Sequence, residues 1–337
     1  MIDTPLTQMF GLDTPIAQAG MAFAGMTPDL AIAVSNAGAL GSVAIGPMPV
    51  PVMQALIDGV RAGTDRPFHV NFITIYTDEA HIDALCADPA PVAAASFHWG
   101  HPPRAWIDRL QAAGIRVIEQ LGSVEAARLA ARDGVDVIVA QGTEAGGHNF
   151  ATLPTFALLP RVVDAVGDVP VLASGGVADG RGLAAALCLG AAGAWVGSRL
   201  VASAESSAHA EYKARICAAE GSDTVLSPLF GRHDPAFNPM RVLRNRVVAE
   251  FEGREDDVPA DNSGEPVVGR MSLGGMDTEL RRFGNLVPMT DATGDFDELP
   301  LLGGQGIGLV TRVEPAAQII AEMTAGARAL LGRPAVS

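Results

Sequence analysis

The chain is short of positive charge, cysteine, aromatic rings and long apolar runs. Its 337 residues carry 23 Lys and Arg against 38 Asp and Glu, a formal net charge of −15. Nucleic acids and anionic membrane surfaces need a positive footprint, so neither is expected as a partner. Only three cysteines occur, Cys86, Cys188 and Cys217, and their spacing is neither that of a metal site nor that of a redox pair. Reduced thiols in a soluble cytoplasmic protein are the simplest account, and no metal site is expected. No uninterrupted apolar run reaches the ~18 residues that a membrane span requires. The opening MIDTPLTQMF has no basic region followed by an apolar stretch, so no secretory signal is expected. What is abundant is small and aliphatic: 48% of residues are hydrophobic, with Ala, Val, Leu and Gly prominent and aromatics at 5%. That length and composition suit one large α/β barrel or two ordinary domains.

Up to about residue 205, short apolar runs alternate with helix-like stretches. The expected strands are Pro15–Ala19, Leu40–Ala44, Phe68–Phe72, Val92–Phe97, Arg116–Leu121, Val135–Ala140, Pro170–Ser174 and Ala194–Gly197. Helices are expected at Thr27–Asn36, Pro49–Ala62, Ser123–Arg132 and Asp179–Leu189, with Ser123 and Asp179 as N-caps. Gly134 and Gly190 stand where helix C-termini turn back towards a strand. Eight β-α units in about 200 residues is the count of a (β/α)8 TIM barrel. The predicted architecture is α/β: a barrel over 1–215, closed by 315–337, and a smaller, mainly helical second domain over 216–314 covering the catalytic face. Pro315–Leu331 reads as the closing helix, and Gly253–Pro266 as an exposed, acidic loop.

Three blocks carry chemistry. VDVIVAQGTEAGGH (Val135–His148) begins as a buried strand and ends in Gly146, Gly147 and a titratable ring, His148. A histidine just past the carboxyl end of a core strand is where α/β enzymes keep their chemistry, although an isolated GGH also fits a plain loop. In VPVLASGGVADGRG (Val169–Gly182), a strand ends at Ser174, Gly175 and Gly176 expose amides, and Asp179 starts a helix. The next strand ends in WVGSRLV, which brings Gly197 and Ser198 alongside. Bare amides on the last two strands of a barrel favour a phosphate, belonging to a cofactor or to a substrate. In PIAQAGMAFAGMTP (Pro15–Pro28), Gly20 and Met21 suit a backbone lying along a flat apolar ring, or equally core packing. Asn71 and Gln120 add amides at the same rim, of use to a planar heterocycle or as turn caps.

Together, QGTEAGGH, PVLASGGVADGRG with VGSR, PIAQAGM and HVNF resemble the FMN-dependent nitronate monooxygenases, formerly called 2-nitropropane dioxygenases. SFHWGHPP (Ser96–Pro103) is similar to a further segment of that family, and GGQGIGL (Gly303–Leu309) to its late GQG segment. The likeness covers roughly 15–203. It implies a barrel that binds FMN without covalent attachment, with His148 facing the flavin as base or substrate-binding group. It also implies that Gly175, Gly176, Gly197 and Ser198 hold the phosphate. Gly20, Met21, Asn71, Gln120, Glu144, Gly147, Ser174 and Gln305 would complete the cofactor site. The implied reaction oxidises nitronates with O2 to carbonyl compounds and nitrite.

The chain departs from the family in two places: His148 runs into Asn149-Phe150 where many relatives continue GGHRG, and Gln120 stands where some carry Lys or Ser. Relatives with the same barrel include NAD(P)H-dependent quinone reductases and enoyl-acyl-carrier-protein reductases, so O2 or NAD(P)H is the expected co-substrate. A non-redox barrel enzyme and a non-catalytic flavin scaffold are the remaining classes. The partner is a small-molecule substrate, and a homodimer is left open. His98 and His101 could reach the rim, whereas His69, His81, His209 and His233 have expected structural or surface roles.

Overall fold

The computed structural model describes residues 2–232 and 239–332; His233 and the last residues of the closing segment 315–337 lie outside them. Eight parallel strands form one sheet: β1 (Ile16–Gln18), β2 (Gly41–Ala44), β3 (Phe68–Ile73), β4 (Ala94–His98), β5 (Arg116–Leu121), β6 (Val137–Gln141), β7 (Val171–Ser174) and β8 (Gly193–Val196). The strand order is β1-β8-β7-β6-β5-β4-β3-β2. The sheet's two ends meet where Gln18 N–H donates to the Leu40 carbonyl and Leu40 N–H to that of Ile16. The result is the expected TIM barrel, each strand lying within two residues of its predicted run.

The shifts at strand starts have a local cause. Val135 N–H returns to the Ala130 carbonyl at 3.0 Å, finishing the preceding helix, so β6 starts only at Val137. Gly134 and Gly190 take φ of 86° and 93° at such helix ends, as their positions suggested. Ser123 caps helix Val124–Arg132 by accepting from Ala126 N at 3.1 Å. Asp179 caps helix Gly180–Cys188 by accepting from Arg181 N and Gly182 N. Alternation along the strands divides the core. Outward side chains such as Val70, Val117 and Ile138 pack under the helices, while Ala17, Ile118, Val139, Leu172 and Trp195 fill the barrel. Leu6 of helix Pro5–Phe10 and Leu12 just after it join the inner cluster.

The segment 216–314 differs from the mainly helical expectation. Its described residues hold one six-residue α-helix, Arg246–Phe251, the end of a helix that starts at Ala210, and short 3-10 turns among strands. Thr224–Ser227 and Met240–Leu243 form an antiparallel sheet that continues into the barrel's own Gly147–His148. Val267–Leu273 and Met276–Arg281 make a hairpin, joined by Thr293–Gly294. The hairpin turns at Gly274-Gly275, both at positive φ (60° and 83°), the conformation a two-residue primed turn requires. That Gly-Gly pair between alternating residues was the sequence signal for strands here, and helical periodicity was the wrong test. Helix Ala210–Ala218 also runs across the expected boundary at 215/216. Among the described residues, no helix is long and apolar enough to cross a membrane.

On the barrel's outer face, Glu119 is 3% exposed and meets His101 Nδ1 at 2.8 Å, and His101 Nε2 reaches Asp133 at 3.2 Å. His101 thus turns away from the rim. Burial pushes the Glu119 carboxyl up to about 7, only partly offset by the His101 ring. A carboxyl whose folded pKa is raised favours the fold below its unfolded value near 4.5, and that contribution is lost as pH rises through 7. Glu119→Gln is therefore expected to leave stability near pH 4 unchanged and to add roughly 1–3 kcal/mol at pH 8. Urea denaturation at the two pH values checks it; an equal change at both would remove Glu119 as the cause.

Candidate active site

Each barrel strand brings a residue at or just past its carboxyl end to the upper rim, and all eight line a single cavity. They are Ala19, Ala44, Asn71, His98, Gln120, Gln141, Ser174 and Gly197, in the order of β1 to β8. The ring is asymmetric. Residues from β7, β8, β1 and β2 are small, and those from β3 to β6 carry amides or imidazole. Gly20, Met21, Gly175, Gly176 and Ser198 line the same cavity on the small-residue side, with Gly304 and Gly306 from the segment above. Gly20 is required sterically: a Cβ there would lie 1.9 Å from Asn71 Cγ.

The small side is built from turns. Gly175 and Gly176 follow β7 at φ of 107° and 76°, which directs their peptide groups along the cavity wall. The helix that follows contributes less than its sequence position suggested, because the Asp179 carboxylate already accepts from Arg181 N and Gly182 N. The cradle is therefore the Gly175–Ala178 turn and the Gly197-Ser198 turn. Arg199, absent from the expected set, also lines the cavity. It is buried and paired with Glu314, and donates to the Arg312 carbonyl at 3.3 Å. Its signal was its place directly after the second turn, in VGSR.

On the opposite side, Gly147-His148 pairs with Arg241-Met240 of the covering segment, so the histidine sits on a strand. Gln141 Nε2 donates to the His148 carbonyl at 3.1 Å. Asn149 Nδ2 donates to the Gly142 and Ala145 carbonyls at 3.0 and 3.2 Å, folding the turn onto itself. The Trp99 ring lies 4.2 Å from the His148 ring at 35°. Trp99 itself holds φ of 67°, a conformation uncommon for a bulky residue and the kind of strain found at functional sites. His98, second on this wall, meets Gln120 Nε2 at 3.2 Å and the edge of Phe150 at 6.0 Å. Burial, then the nearby His148, lowers its pKa to about 4, so it stays neutral near pH 7.

Ten of the twelve expected cofactor residues line this cavity with His148: Gly20, Met21, Asn71, Gln120, Gly147, Ser174, Gly175, Gly176, Gly197 and Ser198. Glu144 and Gln305 stand behind the wall. The Glu144 carboxylate accepts from Thr155 N at 2.7 Å and Thr155 Oγ1 at 3.0 Å, and its carbonyl accepts from Gln305 N at 2.8 Å. Their side of the turn is thereby a brace. Trp99, Gln141, Trp195 and Tyr212 also line the cavity and had not been singled out. Two buried polar atoms of this lining, Gln141 Oε1 and Trp195 Nε1, have no hydrogen-bond partner in the described residues. A buried acceptor and a buried donor left open in one cavity wall fit a polar ligand. His81 and His209 instead cap helices Glu79–Cys86 and Ala210–Ala218, and His69 lies in the barrel core. Among the described residues, no cluster of three or more His, Cys, Asp or Glu side chains is arranged to hold a metal ion.

The sequence profile of the nitronate monooxygenase family matches residues 3–91 and 78–326. A nitronate monooxygenase of Pseudomonas aeruginosa is 38% identical over 266 residues, covering 66% of this chain and 75% of that protein. A dehydrogenase of Mycobacterium tuberculosis acting on (3aS,4S,5R,7aS)-5-hydroxy-7a-methyl-1-oxo-octahydro-1H-indene-4-carboxyl-CoA is also 38% identical, over 252 residues (74% and 68%). FabK from Thermotoga maritima superposes with a TM-score of 0.81 at 33% identity over 98% of both chains. The nitroalkane oxidase of Streptomyces ansochromogenes does so with 0.77 at 28% identity, over 96% and 99%. The shared barrel, the rim histidine and these matches make the chain an oxidoreductase that belongs to the nitronate monooxygenase family.

Proposed function

We propose that the protein binds FMN in the rim cavity and oxidises nitronates with O2 to carbonyl compounds and nitrite. The observation that carries this reading is the placement of His148: its backbone is fixed in a strand, and its ring lines the same cavity as the glycine turns of β7 and β8. The cavity also fits a flavin on its own chemistry. Amides of Gly175, Gly176, Gly197 and Ser198 would hold the phosphate, and the small residues Ala19, Gly20 and Ala44 leave room for a flat ring. Gln141 Oε1 and Trp195 Nε1 would gain the partners they lack. Bound flavin supplies the redox centre that accepts electrons from the substrate.

The protein's own groups then have separable tasks. His148 takes the α-proton of a neutral nitroalkane, or donates a hydrogen bond to the nitro oxygens of a nitronate. The strand pairing and the Gln141 contact keep that ring from swinging with its loop. Trp99 covers one side of the imidazole and limits water there. Neutral His98, with Gln120, gives this wall hydrogen-bonding groups without a second positive charge.

A second reading shares the cavity: an NAD(P)H-dependent flavin reductase acting on a quinone or an enoyl thioester. The FabK superposition over nearly the whole chain favours keeping it. The absorbance spectrum of the purified protein, then parallel assays, separates the two. Flavin bands with turnover of a nitronate and O2, and no bleaching by NADH or NADPH without air, are expected. Rapid anaerobic bleaching with quinone reduction would move the assignment to the reductase, and a colourless protein that takes up no FMN would end both.

Replacing His148 by Ala is expected to keep the flavin bands and to lower kcat/KM for a nitroalkane by about 10²–10⁴-fold. The loss should be smaller for the preformed nitronate, which needs no proton removed. Unchanged turnover on both substrates would take His148 out of the mechanism.

A further inference from the structure

Beneath the cavity, a chain of hydrogen bonds runs from the rim into the barrel core through residues the proposed reaction does not touch. His69 is fully buried and stacks on Trp195, ring centroids 4.8 Å apart at 30°. Its Nε2 lies 3.0 Å from the Gln18 carbonyl oxygen, and its Nδ1 lies 2.9 Å from Ser96 Oγ. The same Ser96 Oγ lies 2.8 Å from the side-chain amide of Asn71, which lines the cavity.

Donor and acceptor rules leave one assignment. A carbonyl oxygen only accepts, so His69 Nε2 carries a hydrogen. Burial lowers the ring's pKa to about 4, so at neutral pH it holds no second hydrogen and Nδ1 is a bare acceptor. Ser96 must give its single hydrogen to Nδ1. Its oxygen can then only accept, so the end of the Asn71 amide that meets it is the NH2 group. The amide oxygen is the end left for a ligand. Gly20 packs against that amide so closely that it has little room to turn.

We propose that His69 and Ser96 are positioning residues that lock the Asn71 amide with its oxygen available to the cavity, selecting a flavin through its ring N–H. The inference rests on the flavin reading for its ligand, but not for the lock itself. Oxidised isoalloxazine carries one ring N–H, and a reversed amide would set NH2 against it. The orientation is thus set from the barrel core, two residues away from any ligand.

Two measurements test it. In the flavin-free protein, 15N spectra of His69 are expected to show the hydrogen on Nε2 and a bare Nδ1 at pH 7; a hydrogen on Nδ1 overturns the lock. In apo protein titrated with FMN and followed by flavin fluorescence, Ser96→Ala is expected to weaken binding ~5–20-fold, the loss of one buried hydrogen bond. Ser96→Thr, which keeps the hydroxyl, should restore most of it. In an Asn71→Ala background the Ser96→Ala change should fall below about twofold, because its effect passes through Asn71. Equal losses in both backgrounds would mean general loosening and would overturn the proposal. If wild-type protein binds no FMN yet His69 holds the stated tautomer, the flavin reading fails while the lock stands.

Discussion

The site depends on the backbone of Gly147-His148 being shared between the barrel and the segment that covers it. These two residues are the third strand of a sheet whose other members, Met240–Leu243 and Thr224–Ser227, come from much further along the chain. The pairing is reinforced by the Arg241 side chain, which donates to the Thr143 carbonyl at 2.9 Å and to Thr224 Oγ1 at 3.3 Å. A second seam lies alongside, where Gln305 N donates to Glu144 O and Gly304 N to Ser198 Oγ. A rim histidine on an unsupported loop would sample many positions, each off the productive geometry. Here its position is set by the Gln141 contact from the barrel and by a strand pairing that requires the covering segment to be folded.

A parallel barrel imposes the second constraint. Every strand must place alternate side chains inside, and closure staggers neighbouring strands, so that Asn71 stands level with Ser96, Gln120 with Val139 and Ser174 with Trp195. At the rim the residues divide into four small and four with amide or imidazole side chains; under the proposed function the first side would take the flat ring and phosphate and the second polar recognition. The layer below is where that polarity has to be supported. A polar group in the barrel interior is tolerated only when satisfied, and His69, Ser96 and Asn71 satisfy one another down to the Gln18 carbonyl. Trp195 closes the other half with its indole ring; among the described residues its N–H and the hydroxyl of Ser42, level with His69, are left unpaired.

Which of this the sequence disclosed follows from how local each feature is. The eight strands were legible because a strand covered on both faces must be a short aliphatic run. The rim residues Asn71, Gln120, Ser174 and Gly197 were legible for the same reason, being the last inward positions of those runs. Glu144 and Gln305 were legible as motif members but not as braces, since their contacts to Thr155 and to each other's backbones cross the chain. Trp99 and Arg199 stood inside quoted motifs, yet their importance comes from a left-handed backbone and a buried ion pair that no local pattern encodes. The covering strands escaped because four-residue runs such as Thr224–Ser227 gain their pairing from partners far away in sequence.

The Asn149-Phe150 flank, where the chain departs from many relatives, has a physical consequence of its own. A longer loop could satisfy the Gly142 and Ala145 carbonyls with its own backbone; here one side-chain amide, Asn149, does so and lets the chain leave the rim at once. Phe150 is then forced outward, half-exposed, with its edge against His98. Apolar rings thus flank the two histidines, the exposed Phe150 beside His98 and the buried Trp99 beside His148, around a polar centre. A small nitronate would touch only the centre. A substrate with an apolar group next to its reacting carbon would also cover Phe150, removing from water a ring that the fold leaves exposed. Under the proposed function, the shortened flank would act on which molecules gain by reaching His148.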